Sequence, residues 1–262
     1  MMNRVLVAVP GIAVAIAAVW LGGPVLAVAL AVIAALAVAE FVGLLSDVGP
    51  IRWAAYAGAL LTVGLAAVLD IPERGVLVGV GASVMLAAVG GLLVPDRADV
   101  TKRVALTAFG AVYIGVPLGL LVALRDLDSG AAAVANILVG TWAFDTFSYF
   151  GGRLLGRTPI APRTSPKKTV EGFVVGLVGG TLSVVVAGIW MDWIAWHESL
   201  VLGAVICVVA YAGDLFESLV KRDLGIKDSG RLLGEHGGVL DRFDALFFTA
   251  VAGYYATVWL VG

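Results

Sequence analysis

The chain has 262 residues, 61% of them apolar and 14% charged, with a formal net charge of −2. A soluble globular chain carries about 25% charged residues, so the composition excludes an ordinary water-soluble domain, and a charge so near zero gives no sign of a nucleic-acid partner. The single cysteine, Cys207, rules out an intramolecular disulfide and, set in an apolar run, reads as a small buried hydrophobe. Long unbroken Ala/Val/Leu/Gly runs, rather than short alternating segments, exclude a membrane β-barrel and predict an all-α, polytopic transmembrane helical bundle.

Nine spans follow in chain order: Val5–Leu21, Pro24–Leu45, Trp53–Leu69, Val76–Val94, Val104–Val122, Ala131–Phe150, Phe173–Ile189, Leu200–Val220 and Phe243–Val261. Gly22-Gly23-Pro24 breaks the first run from the second and predicts a tight helical hairpin. The series of later spans makes the first a retained helix rather than a signal peptide. With this count every Lys and Arg except Arg74 and Arg125 falls on the side of the N-terminus. Positive residues mark the cytoplasmic face, so the N-terminus is expected inside, the C-terminus outside, and the basic loops 151–172 and 221–242 in the cytoplasm. Residues 1–130 form a five-span region almost free of polar groups, suited to packing, lipid access or oligomerisation. Residues 131–262 form a four-span region that carries the chemistry.

Within that second region the polar residues fall into three groups. Asp214, Glu217, Ser218 and Lys221 are spaced i, i+3, i+4 and i+7, and so share one face of a helix. Asp214 would sit about 10 Å in from the cytoplasmic end of its span. A carboxylate there needs a cation or a base to stay ionised; the bland reading is an internal salt bridge of Asp214 or Glu217 with Lys221. The second group is His236-Gly237-Gly238-Val239-Leu240-Asp241-Arg242-Phe243-Asp244. Its glycines allow close backbone approach, and Asp241 and Asp244 can point at one centre from the start of the last helix, or simply cap it. The third joins Asp145, at a depth like that of Asp214, to Ser165-Pro166-Lys167-Lys168-Thr169-Val170-Glu171-Gly172. Two acids at matched depth on different helices suggest a shared cation. Lysines, hydroxyls and amides just before a helix make a phosphate cradle, though two lysines alone would read as an ordinary positive-inside loop. Elsewhere Glu40 either snorkels or faces the bundle. Trp190, Trp193 and Trp196 fit an interfacial belt, and the Gly-rich run Gly176–Gly180 fits close helix packing.

The stretch from Ser218 through Lys221-Arg222, Lys227-Asp228-Ser229-Gly230, Leu233-Gly234, His236-Gly237-Gly238 and Asp241-Arg242-Phe243-Asp244 resembles the signature of the phosphatidate cytidylyltransferases, or CDP-diacylglycerol synthases. Every specified position of that pattern is filled, and the region from Asp145 to Gly172 resembles the family's second block; the specific matches lie in the last 120 or so residues. The resemblance implies an enzyme that converts CTP and phosphatidate into CDP-diacylglycerol and pyrophosphate with Mg²⁺, with room for a second cation of unnamed identity. It implies Asp214, Asp241 and Asp244 as metal ligands, with Asp145 a further candidate. It also implies Lys167, Lys168, Lys221, Arg222, Lys227 and Arg242 as holders of triphosphate or lipid head group. Ser165, Thr169, Ser218 and His236 would position phosphates or waters, with Glu171, Gly237 and Gly238 in the substrate site. The expected partners are CTP, phosphatidate and the lipid bilayer of a bacterial-type cytoplasmic membrane, with homodimerisation left open and no nucleic acid.

Three other readings compete. Intramembrane acids also mark ion-coupled transporters, but here the charged groups gather at one face, whereas alternating access needs both. A CDP-alcohol phosphotransferase would carry an Asp-x-x-Asp-Gly helix motif, which the chain lacks. A cytidylyltransferase for another lipid phosphate, such as an isoprenoid ether lipid, differs in acyl chains that no motif reads.

Overall fold

A computed structural model describes residues 14–226, 229–230 and 237–261. Most of the expected first span, together with Lys227 and His236, lies outside the described residues. Among the described residues the protein is an all-α membrane protein apart from one short hairpin. Helix α1 is represented by residues 14–21. It is followed by α2 (Gly23–Leu44), α3 (Arg52–Val68), α4 (Pro72–Leu93), α5 (Val100–Arg125) and α6 (Gly130–Leu155). An antiparallel pair of strands, β1 (Pro159–Ala161) and β2 (Ser165–Thr169), precedes α7 (Val170–Trp190), α8 (Trp196–Asp223) and α9 (Leu240–Val261). Among the described residues six helices are long and apolar enough to cross a membrane: α2, α4, α5, α7, α8 and α9. Helix α3 is apolar but has only 17 residues, and α6 interrupts its apolar run with Asn136 and Asp145.

The chain divides into two compact units. One comprises Met1–Leu127 with Asp228–Arg242; the other comprises Asp128–Lys227 with Phe243–Gly262.

In the first unit small residues set the helix spacing. A methyl group added at Gly79 of α4 would lie 2.5 Å from the Thr62 Cα of α3, and one at Gly115 of α5 would lie 3.0 Å from the Ala59 Cα. Such backbone approach is the membrane solution to packing without a hydrophobic drive between helices. The turn after α2 is tied down by hydrogen bonds: Ile51 N donates to Thr107 Oγ1 at 2.8 Å and Arg103 Nε donates to Gly49 O at 2.7 Å. At the other end of these helices Gly22 and Gly23 adopt positive φ (62° and 47°), so the glycines make the break that the sequence predicts. Arg125 Nε donates to the carbonyl of Val19 at 2.7 Å, satisfying a free acceptor at the end of α1.

The second unit is centred on Phe144, Cys207, Ala210 and Ala245, with Phe173, Leu177 and Tyr211 packed against them. The glycines of α7 lie on α6 and α8. Side-chain carbons added at Gly176, Gly179 and Gly180 would strike Ser148, Phe147, and Phe144 with Cys207. Trp190 and Trp196 are exposed as an interfacial pair, but Trp193 is buried. Its indole N–H donates to the Asn136 amide oxygen at 3.1 Å while the amide nitrogen donates to Val184 O, which gives the indole a partner away from the membrane surface.

The glycine seam yields a direct test. Gly79→Ala should destabilise the protein by about 1–3 kcal/mol through overpacking. Gly64→Ala, where nothing lies within 4 Å of the new methyl, should be neutral or slightly stabilising. Thermal unfolding in detergent micelles would compare them; equal melting temperatures would refute the seam.

Candidate functional site

In the second unit the candidate side chains arrive on α6, β2, α8 and α9. Helices α6 and α8 both run past the ends expected from sequence. Asp145 lies ten residues before Leu155 and Asp214 nine before Asp223, about 15 and 14 Å from their helix ends at ~1.5 Å per residue. The depths match. The charge of Asp214 acts on both Asp145 and Asp244, and Asp145 acts on Asp244. Three carboxylates from three helices thus share one electrostatic field. Asp244 also lies within hydrogen-bonding reach of Glu217. Among the described residues, no three His, Cys, Asp or Glu side chains close into a metal-ligand group.

One cation already stands among these acids. Lys168 Nζ pairs with Asp214 Oδ2 at 2.5 Å and lies 5.3 Å from the centre of the Tyr211 ring. It is carried there by β2, the strand that runs into α7. On β2, Lys167 is exposed while Lys168 is half-buried. The segment expected to be a cradle before a helix is therefore the second strand of a hairpin that runs directly into α7. Thr169 caps that helix, its hydroxyl accepting from Gly172 N at 3.1 Å. Glu171 accepts from the amides of Arg157 and Thr158 at 3.0 and 3.1 Å, so in this structure its carboxylate folds the hairpin back onto the helix start. Ser165 begins β2, half-buried. Arg222 Nε donates to Thr164 O at 3.3 Å, joining the end of α8 to the hairpin turn.

The bland alternative for α8 is half right. Glu217 does pair with Lys221 within the helix, at 2.6 Å. Asp214 does not; it takes its cation from β2. Ser218 is half-buried on the same helix.

In the first unit the start of α9 is held by its own residues and by a distant one. Asp241 Oδ2 accepts from the amides of Ser229 and Gly238, both at 2.8 Å, and Ser229 Oγ accepts from Asp241 N at 3.3 Å. Gly237 has φ +80°, a conformation that favours glycine. Arg242 is exposed in the first turn. Glu40 of α2 is buried and accepts from Leu240 N at 2.9 Å. Sequence reasoning left Glu40 without a role. The available signal was a lone acid in an otherwise uncharged 22-residue helix.

Compared with known proteins, the chain matches the model of the family described as "Cytidylyltransferase family" over residues 2–260. It is 38% identical over 165 residues to a phosphatidate cytidylyltransferase of Thermotoga maritima, covering 61% of each chain. It is 49% identical over 122 residues to one of Synechocystis sp., covering 46% of this chain and 41% of the relative. It is 44% identical over 120 residues to one of Aquifex aeolicus, covering 45% and 44%. The aligned part of this chain thus spans about half the length of the curated relatives it matches.

The Lys168–Asp214 pair generates a second prediction. Lys168→Met should cost about 1–3 kcal/mol, below the figure for a fully buried pair because Asp214 keeps some solvent access. Adding Asp214→Asn should recover most of that loss in a double-mutant cycle read by thermal unfolding. Strict additivity would mean that the pair contributes nothing.

Proposed function

The chain belongs to the cytidylyltransferase family, and from that membership we propose that it is a membrane phosphatidate cytidylyltransferase, which converts CTP and phosphatidate into CDP-diacylglycerol and pyrophosphate. The observation that carries the reading is Lys168 seated on Asp214 within the field of Asp145 and Asp244. Clustered acids with a basic side chain among them suit a reaction between two anions.

In the proposed reaction an oxygen of the phosphatidate phosphate attacks the α-phosphorus of CTP. A new phosphorus–oxygen bond forms as the bond from the α-phosphorus to the bridging oxygen breaks, and pyrophosphate leaves with that electron pair. The nucleophile is already an anion, so no strong general base is needed. Positioning and charge screening are the main demands.

The donor set fits a hard divalent cation. Asp145, Asp214 and Asp244 offer carboxylate oxygens, as Mg²⁺ prefers, and Asp241, one turn before Asp244 on the same helix, is proposed with them. When bound, Mg²⁺ screens the two phosphates and stabilises the departing pyrophosphate; a second cation has room in the same scheme. The basic side chains do the rest. Lys168 neutralises Asp214 before substrate arrives and can turn to a phosphate when Asp214 acquires another counter-ion. Lys167, Arg222 and Arg242 are exposed and are assigned to the triphosphate or head group. Lys221 would join them from its place on Glu217, and Lys227 and His236 are assigned to the same substrates. Ser165, Thr169 and Ser218 orient phosphates or waters; Gly237 and Gly238 let the backbone approach. Glu171 supports the hairpin that carries Lys168. The proposed topology has nine spans, the N-terminus in the cytoplasm, the C-terminus outside, and the site facing the cytoplasm of a bacterial-type inner membrane.

Labelled CTP supplied to the purified protein should enter a chloroform-soluble nucleotide lipid only when phosphatidate is present. Flux of a solute in sealed vesicles without CTP would favour a transporter instead. Asp214→Ala, Asp241→Ala and Asp244→Ala should each lower turnover at least about 100-fold, the order of losing one major transition-state interaction, while the protein stays membrane-inserted. Near-normal activity of Asp241→Ala would remove it from the ligand set. Chelation with EDTA should abolish turnover and added Mg²⁺ should restore it; activity that survives exhaustive chelation would refute the metal assignment.

A further inference from the structure

Glu40 is the one charged residue of α2, and it is only 6% exposed. A carboxylate so placed is costly unless hydrogen bonds replace its water. Its Oε2 accepts from Leu240 N, 200 positions further along the chain, at the first turn of α9. That amide is one of the donors a helix start leaves free, and the positive end of the helix dipole favours an anion there.

The glycines of the signature stretch form the slot. A methyl group built on Gly238 would lie 2.5 Å from Glu40 Oε2 and would also strike Ser229 Oγ. One built on Gly230 would lie 2.7 Å from Glu40 Oε1. The carboxylate is thus held between two backbones that approach it only because neither residue has a side chain. Asp241 completes the arrangement through the amides of Ser229 and Gly238. Gly230 and Gly238 therefore have a physical role apart from any phosphate: they make room for Glu40.

We infer that Glu40 is a positioning residue for the nucleotidyl transfer, one that acts through Leu240 and the two glycines to hold the start of α9, and with it Asp241 and Arg242, in register. This rests on the proposed reading of the signature stretch as part of the reaction site. Glu40 itself need not touch either substrate.

The test uses the purified full-length protein with Glu40→Ala, Glu40→Gln and Gly230→Ala. Two quantities are read: amide hydrogen exchange of peptides covering 237–242, and kcat and KM for CTP with phosphatidate as co-substrate. Glu40→Ala should speed exchange at 237–242 at least tenfold while peptides of α6 and α7 keep wild-type rates. It should lower kcat at least tenfold and move the KM for CTP less than threefold. Glu40→Gln retains an acceptor oxygen of the same reach and should keep exchange and kcat within threefold of wild type. Gly230→Ala pushes the carboxylate from its slot without changing charge and should behave like Glu40→Ala. Wild-type exchange and kcat in Glu40→Ala would overturn the inference. So would a Glu40→Gln protein as impaired as Glu40→Ala, because the charge itself would then be needed. If Glu40→Ala fails to fold, Gly230→Ala decides: wild-type exchange at 237–242 sinks the idea. A wild-type protein that never turns over CTP would remove the functional reading alone, while the exchange rates still decide whether Glu40 holds the helix start.

Discussion

Ionised groups inside an apolar bundle must be compensated, and that constraint organises this protein. A charge at the centre of a spanning helix costs about 2.5–3.5 kcal/mol on insertion scales. The chain places acids within its helices nonetheless, and the structure shows how they are compensated. Asp214 has an ammonium from β2. Glu217 has Lys221 one turn away. Glu40 has a free amide at a helix start. Each solution uses a different donor, and each fixes a different part of the proposed site.

These compensations also explain why the hairpin exists. Lys168 meets Asp214 from a strand that ends at a defined helix. Thr169 and Glu171 provide that ending, one by capping α7 and the other by holding the amides of Arg157 and Thr158. The glycines of α7 then let α6 and α8 come close enough for Asp145 and Asp214 to act on one another. Packing and electrostatics are one problem here: small residues bring the helices together, and proximity gives the acids their shared field.

Much of the fold was legible in the sequence. The helices that the structure describes begin and end within a few residues of the expected spans, because an apolar run long enough to cross a bilayer has only one inexpensive backbone conformation. The break at Gly22-Gly23 and the packing role of Gly176–Gly180 were legible for a related reason: glycine's lack of a side chain is read directly from its letter. The family signature was legible because its polar residues stand out against an apolar background. The extra turns of α6 and α8 were not legible, since Arg153 and Asp223 look like loop residues until the helix carries them. Nor was the strand character of 165–169, where five residues of mixed polarity give no period to count. Trp193 was placed at the interface by residue type, yet Asn136 offers its indole a buried partner.

The amino-acid order alone determined that the chain is a helical membrane protein, where its helices run, and which polar residues stand as candidates for its site, because those follow from local hydrophobicity and from side-chain type. Only the tertiary structure decided the pairings: that Asp214 meets Lys168 rather than Lys221, that Asp145 and Asp244 feel Asp214, and that Glu40 reaches Leu240. Each of these joins residues from different elements, with tens to hundreds of positions between them. No periodicity reports such contacts, for they depend on how the helices approach one another and not on any run of letters.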